Sequence, residues 1–392
     1  MLKKALALLT ATCITFGAMP ALAQEDEAVS IHTMEEKQTE KIELSLEAAI
    51  NMALENHPRI NAADAAIKSS ALALEVAKDT SKEYKDMEKL ASKIPGVSMA
   101  VNISAGLEQA YLKHGYYTTA ATVGEELATL GKEQTVASVS YEVTQMYYNV
   151  KLMEALIGIA QTGVSLADDN LKLMESQYEA GYVSLIEVKN AKNAVAAAEY
   201  SLEGYKRNLE IAKKSFKIAL QIDSFEGDIV LTDEIEIPDL PSDVTDKIDG
   251  AMESRYDMTA VKKDYELKKN MFDITAMYMS DKTASYYSAY SEYLKSEYTY
   301  NNTLKLMKVG LESEYAAILS AFDEIKKCES DLEVKTTIYE SRKTMYELGL
   351  ITNLELTGAM ADVDSGRVAL ENARVTYALA LIKFGYNTTI GL

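Results

Sequence analysis

The apolar residues between Val143 and Tyr178 recur at alternating intervals of three and four without a break: Val143, Met146, Val150, Met153, Ile157, Ala160, Val164, Ala167, Leu171, Met174 and Tyr178. A period of 3.5 residues sustained this far describes a long helix packed along one stripe against another helix. After Gly181 a second seam begins with Val188, Ala191, Val195, Ala198, Leu202, Tyr205, Leu209, Ala212 and Phe216. Nothing punctuates these stretches. The chain has five prolines in 392 residues, and 96–237 and 242–392 contain none. Residues 119–178 read as one helix of about 60 residues, near 90 Å at ~1.5 Å per residue. Rods of that length suit coiled coils and helical tubes better than globular domains.

The pattern occurs twice. Tyr178-Glu179-Ala180-Gly181-Tyr182-Val183-Ser184-Leu185-Ile186-Glu187-Val188 returns, 168 residues on, as Tyr346-Glu347-Leu348-Gly349-Leu350-Ile351-Thr352-Asn353-Leu354-Glu355-Leu356. The same offset matches Ala191 with Ala359, Val195 with Val363, Leu202 with Leu370 and Phe216 with Phe384. A weaker pair, Ala53–Pro58 and Ala251–Tyr256, opens each half at an offset of 198. Two tandem supersecondary units are the expectation. Each is an antiparallel helical hairpin with its tip at Gly181 or Gly349, where glycine accepts left-handed torsions cheaply. Ser184 and Thr352 stand as N-caps of the returning helices, with Glu187 and Glu355 three residues later, as in a capping box. A second apolar stripe, Leu152, Leu156, Ile159 and Leu166, flanks the first seam and needs a further neighbour, from an adjacent hairpin or another copy.

The remaining features bound the setting. Met1–Ala23 has the three parts of a secretory signal: Lys3 and Lys4, an apolar run, and Ala21-Leu22-Ala23 before Gln24. Residues 24–44 read as a flexible acidic arm, 45–223 as the first hairpin repeat, 224–241 as a linker broken by Gly227, Pro238 and Pro241, and 242–392 as the second repeat. Ile229-Val230-Leu231 suits a short strand. Beyond the signal, no apolar run is expected to span a membrane. Net charge is −20, and −22 once Lys3 and Lys4 are removed, which argues against nucleic-acid binding. Three scattered histidines suggest no His-ligated metal, Cys328 reads as an unreactive thiol, and no catalytic or cofactor motif is found. Asp168 and Asp169 read as a solvated helix face.

The chain resembles the TolC family of outer-membrane efflux proteins. The resemblance is carried by Leu44–Ala49 with Ala53–Pro58, by the turns Tyr178–Val188 and Tyr346–Leu356, and by Ala369–Arg374. It implies an all-α fold of two hairpin repeats, forming an α-barrel as a homotrimer. It implies a passive exit duct for efflux or type I secretion in the outer membrane or cell envelope, docking a periplasmic adaptor and an inner-membrane pump. By motif, Gly181, Tyr182, Val183, Gly349, Leu350 and Ile351 would form the adaptor-docking tips. Glu187, Tyr346 and Glu355 would constrict the entrance, with Tyr346 meeting Glu187; simple helix capping is the other reading of the two glutamates. Gly358 and Ile351 stand where the family often has an acid and an arginine. The family's barrel strands are reduced or missing: only Val97–Ile103 alternates, and Asp281–Leu304 looks helical. A non-conducting coiled-coil scaffold of the envelope is the alternative. A secreted ligand-binding protein would need a concave pocket that the sequence does not announce.

Overall fold

The computed structural model describes residues 41–55, 57–93, 106–235 and 237–392. The signal segment, most of the acidic arm and Val97–Ile103 lie outside them. The described elements are β1 (Lys41–Leu44), α1 (Leu46–Glu55), α2 (Pro58–Ala91), α3 (Leu107–Lys113), α4 (Tyr116–Glu179), α5 (Leu185–Ala219), β2 (Asp228–Leu231), α6 (Val244–Ser254), α7 (Tyr256–Tyr278), α8 (Ala284–Glu347) and α9 (Asn353–Asn387). The boundaries of α4 and α5 return 168 residues later in α8 and α9. Two tandem hairpins therefore stand as expected, each with an incoming helix of 64 residues and a returning helix of 35. An incoming helix is about 96 Å long at ~1.5 Å per residue.

Each long helix has two partners in succession. Toward the tip, α4 packs on α5 and α8 on α9; toward the other end, α4 packs on α2 and α8 on α7. The halves join where α4 lies against α9 and α7. The second stripe of α4 finds its neighbour in this way. Leu152 and Leu156 are buried in one cluster with Val375 and Ala378 of α9, and Ile159 packs against it. A second cluster unites Ile248 and Ala251 with Leu311, Ile318, Tyr377 and Phe384. A small third cluster, Met174, Val188 and Ala191, closes the first tip.

Residues 41–44, assigned to the acidic arm from composition, form β1. They pair in parallel with Asp228–Leu231, inside the linker. The alternating Ile42 and Leu44 were masked by the polar residues before them; Leu44 and Ile229 are buried in the main core. Tyr147 ties this patch down, donating to the Leu44 carbonyl at 3.3 Å and accepting from the Asp233 amide at 3.0 Å. On the far side of the junction, buried Arg255 donates to the Asn387 carbonyl at 2.6 Å and holds Asp257 at 2.9 and 2.8 Å.

At the end away from the tips, α7 stops at Tyr278 and α8 starts at Ala284. Only a short turn capped by Thr283 separates them, so residues 244–392 contain no strand. Most of the tyrosines here are packing groups. Phe272 stacks on Tyr293 and touches Tyr286 and Tyr290, and Tyr265 stacks on Tyr300. Tyr287 and Tyr298 point outward. One reading changes: α4 contains a stretch apolar enough, by length and composition alone, to cross a membrane. The heptad apolars and the second stripe share that stretch, and together they raise its mean hydropathy.

Candidate functional site: the hairpin tips

Both tips have the same construction. The Gly181 amide donates to the Tyr178 carbonyl at 2.9 Å and the Tyr182 amide to the Gln177 carbonyl at 2.8 Å. The corresponding bonds at the second tip, Gly349 to Tyr346 and Leu350 to Met345, are both 2.9 Å. This double bond pattern closes a helix through a left-handed residue, and Gly181 and Gly349 have φ of 78° and 72°. Each returning helix starts on its N-cap. The Ser184 amide donates to Glu187 at 3.0 Å, and the Thr352 amide and hydroxyl donate to Glu355 at 2.9 Å. Those Thr352 bonds hold the Glu355 carboxyl below its ordinary value.

The tips present apolar side chains to solvent. Tyr182 is 83% exposed and Leu350 69%, while Val183 and Ile351 are half-buried. Sequence reasoning missed Ile186 and Leu354, repeat partners on the first turns of α5 and α9, which are 69% and 65% exposed. Their signal was present: an apolar residue recurs at this place in both copies of the turn.

Tyr346 crosses from the second hairpin to the first. Its hydroxyl donates to Gln177 Oε1 at 2.9 Å and lies 3.3 Å from Met174 Sδ. Glu187, the expected partner, is occupied by Ser184. It is near enough to act on the phenol electrostatically: burial, then the Glu187 charge, raises the Tyr346 pKa. The structure thus brings Tyr346 and Glu187 into one neighbourhood but gives the hydrogen bond to Gln177. Glu355 faces solvent on the other helix, beside Arg342, which donates to its carbonyl at 3.2 Å.

Above the tips, the seam between hairpins differs from the seams within them. The rings of Tyr141 and Tyr386 are 6.2 Å apart, and a Cβ on Gly163 would fall 2.7 Å from Asp364 Oδ2. These pairs share one antiparallel register, which sets Asn170 level with Thr357 and Met174 level with Asn353. Asn353 is 1% and Asn170 8% exposed, and neither side-chain amide has a hydrogen-bond partner. Burial raises the Asp364 carboxyl, against the opposing pull of Arg367. Elsewhere the charges are ordinary: Lys172 bridges Asp168 at 2.7 Å on an exposed face, and burial raises the Cys328 thiol. Among the described residues no group of ligating side chains has metal-holding geometry.

Residues 97–220 match the family model of the outer membrane efflux protein. No curated protein sequence matches the chain. Among solved structures, the Campylobacter jejuni CmeC outer membrane channel is similar over 88% of this chain and 85% of its own, with 13% identity and a TM-score of 0.61. The outer membrane protein VceC of Vibrio cholerae is similar over 88% and 96%, with 14% identity and a TM-score of 0.64. The open state of the Neisseria gonorrhoeae MtrE outer membrane channel is similar over 88% and 89%, with 13% identity and a TM-score of 0.53. The likeness to TolC-family outer membrane efflux proteins therefore rests on sequence over residues 97–220 and on fold over most of the chain.

Proposed function

We propose that the chain is one wall segment of an efflux or secretion duct in the outer membrane or cell envelope, working passively as a homotrimer. The observation that carries this reading is a pair of unpartnered apolar edges. On α8, Leu311, Ile318 and Ile325 are buried, while Leu319, Val334, Ile338 and Met345 lie exposed on the other side of the helix. At the opposite edge of the chain, α5 exposes Tyr200, Ile211 and Ile218, and α2 exposes Leu72, Val76, Met87 and Leu90. Two different edges that each want a helix favour a head-to-tail contact, which closes into a ring if the rotation allows. Exposed apolar patches of this extent mark interaction surfaces.

In this reading Gly181, Tyr182, Val183, Gly349, Leu350 and Ile351 dock a periplasmic adaptor that links the duct to an inner-membrane pump. Glu187, Tyr346 and Glu355 narrow the entrance. The exposed Tyr182 and Leu350 support the docking role, since apolar anchors with polar surrounds suit protein contacts. The charge of −22 per mature copy would favour cations in a narrow acidic lumen. The match of residues 97–220 to the outer membrane efflux protein model supports the efflux role.

Sedimentation and electron micrographs of the purified chain test assembly, and currents across a planar bilayer test conduction. A hollow trimer about 100 Å long, the length of a 64-residue helix, with cation-preferring currents is the expected result. A solid rod or a stable monomer without conductance would leave the scaffold reading in its place.

A further inference from the structure

On one side of α4, between α5 and α9, lies a cavity of about 620 Å³. Its space comes from small side chains on three helices, among them Gly163, Ala197, Gly358 and Ala361; Tyr205 and Met360 are larger members of the wall. That volume lies within the range of pockets that take drug-sized ligands, and one side of the space is open to solvent. The wall is mainly apolar and has one ionisable acid or base other than tyrosine, Asp364. The Asp364 carboxylate is half-buried and rests against the bare backbone of Gly163. Its ion pair with Arg367 is long, at 3.4 Å, and Arg367 itself does not line the space.

Two buried amides lie near this space without lining it. Asn170 lies on the face of α4 that carries Gly163, two turns nearer the tip, and Asn353 lies one turn before Thr357, a wall residue. Both amides are more than nine-tenths buried with their donor and acceptor atoms unmet. Buried amides are almost always hydrogen-bonded, and each orphan costs stability. Apolar space with one poorly compensated negative charge forms a chemically asymmetric site. An anion would meet the Asp364 charge in a mainly apolar wall, and a neutral hydrocarbon would leave that charge unanswered.

We propose that this cavity binds a lipophilic organic cation of drug size, with its charge at Asp364 and its apolar body against the alanine and glycine walls. The site lies within a single chain, so it does not depend on whether copies assemble or conduct.

Ethidium, a permanent cation that brightens on leaving water, is the probe, titrated into the purified full chain. Saturable binding of one ethidium per chain is expected, and anilinonaphthalene sulfonate, an anion of similar bulk, should not displace it. Asp364→Asn should weaken binding at least tenfold, and Asp364→Glu should restore most of it. Gly358→Leu should abolish binding by filling the space, since a Cβ there meets no atom within 4 Å; leucine also favours the helix. Circular dichroism confirms folding of each variant. No saturable ethidium binding, or equal displacement by the sulfonate, overturns the proposal. So does binding that Asp364→Asn and Gly358→Leu leave unchanged. Absent channel currents, by contrast, would count against the duct alone.

Discussion

The two hairpins share lengths, tips and caps, yet their burial is exchanged. The incoming helix of the first, α4, buries fifteen residues, and its counterpart α8 buries six over the same length. For the returning helices the order reverses, four on α5 and twelve on α9. The cause is position. In the tip half the helices follow the order α5, α4, α9, α8, so α4 and α9 have neighbours on both sides and α5 and α8 stand at the edges. Duplicated sequence specifies the local element; the place in the array decides which stripe is covered. The edge helices keep a second apolar stripe exposed, the face that the proposed assembly would cover.

Aromatic truncation gives the widest separation between inner and edge helices. Tyr377 of α9 is fully buried and donates to the Pro238 carbonyl at 2.8 Å. Tyr377→Ala should cost about 3–5 kcal/mol, read by urea denaturation. Tyr200 of α5 is exposed, and Tyr200→Ala should change the stability of the single chain by less than about 0.5 kcal/mol while weakening assembly in sedimentation. Equal losses of chain stability would erase the distinction between inner and edge positions.

Within α4 the same contrast appears between two glycines. A Cβ on Gly163 would meet Asp364 Oδ2 at 2.7 Å, whereas Gly158 faces open space. Gly158→Ala should stabilise by about 0.5–1 kcal/mol through helix propensity, and Gly163→Ala should lose that gain because the Asp364 carboxylate must swing off the added methyl. Thermal melts should rise for Gly158→Ala and not for Gly163→Ala. An equal rise for Gly163→Ala would mean that the Asp364 carboxylate yields at no cost.

The tips should show the symmetry that the long helices lose. Gly181→Ala and Gly349→Ala each force alanine into left-handed torsions, at about 1–2 kcal/mol. Because both turns are exposed and built alike, the two losses should agree within about 0.5 kcal/mol in denaturant titrations. A marked inequality would show that Tyr346 and Gln177 make the second tip a different structure.

The hairpins were legible because their determinants are local: the 3.5-residue period, the glycine at each turn, and the Ser184/Glu187 and Thr352/Glu355 spacing. Even the stripe through Leu152 and Leu156 announced a second neighbour. What stayed hidden depended on the register between hairpins. Nothing near Asn170 says that it lies level with Thr357, or that Gly163 accepts the carboxylate of Asp364. Tyr346 looked like a partner for Glu187, but the capping bond from Ser184 had already claimed that carboxylate, leaving Gln177 within reach. β1 was hidden differently: four residues whose partner lies far along the chain have too little pattern to stand out from a polar arm.

The smallest expected effects are in the acid range, where a solvent-exposed cap and an inner-seam acid should respond oppositely. Glu355 is exposed and its pKa is lowered by bonds from Thr352. A carboxylate with a depressed folded-state pKa stabilises fully above its unfolded value, and that contribution is lost as pH falls through the folded value. Asp364 has a raised pKa because burial disfavours its charge. Its folded form holds the proton more tightly, so stability falls as pH rises from the unfolded value through the folded one. Glu355→Gln should therefore flatten the acid loss of stability at the second tip, seen as amide exchange at Thr352 between pH 5 and about 3, the range around an ordinary carboxylate. Asp364→Asn should remove a penalty at neutral pH and raise the melting temperature there, with little change once the native carboxyl is protonated. A carbon-13 titration that placed both side chains on the same side of their ordinary values would sink the contrast, since one environment offers hydrogen bonds to the charge and the other withholds water from it.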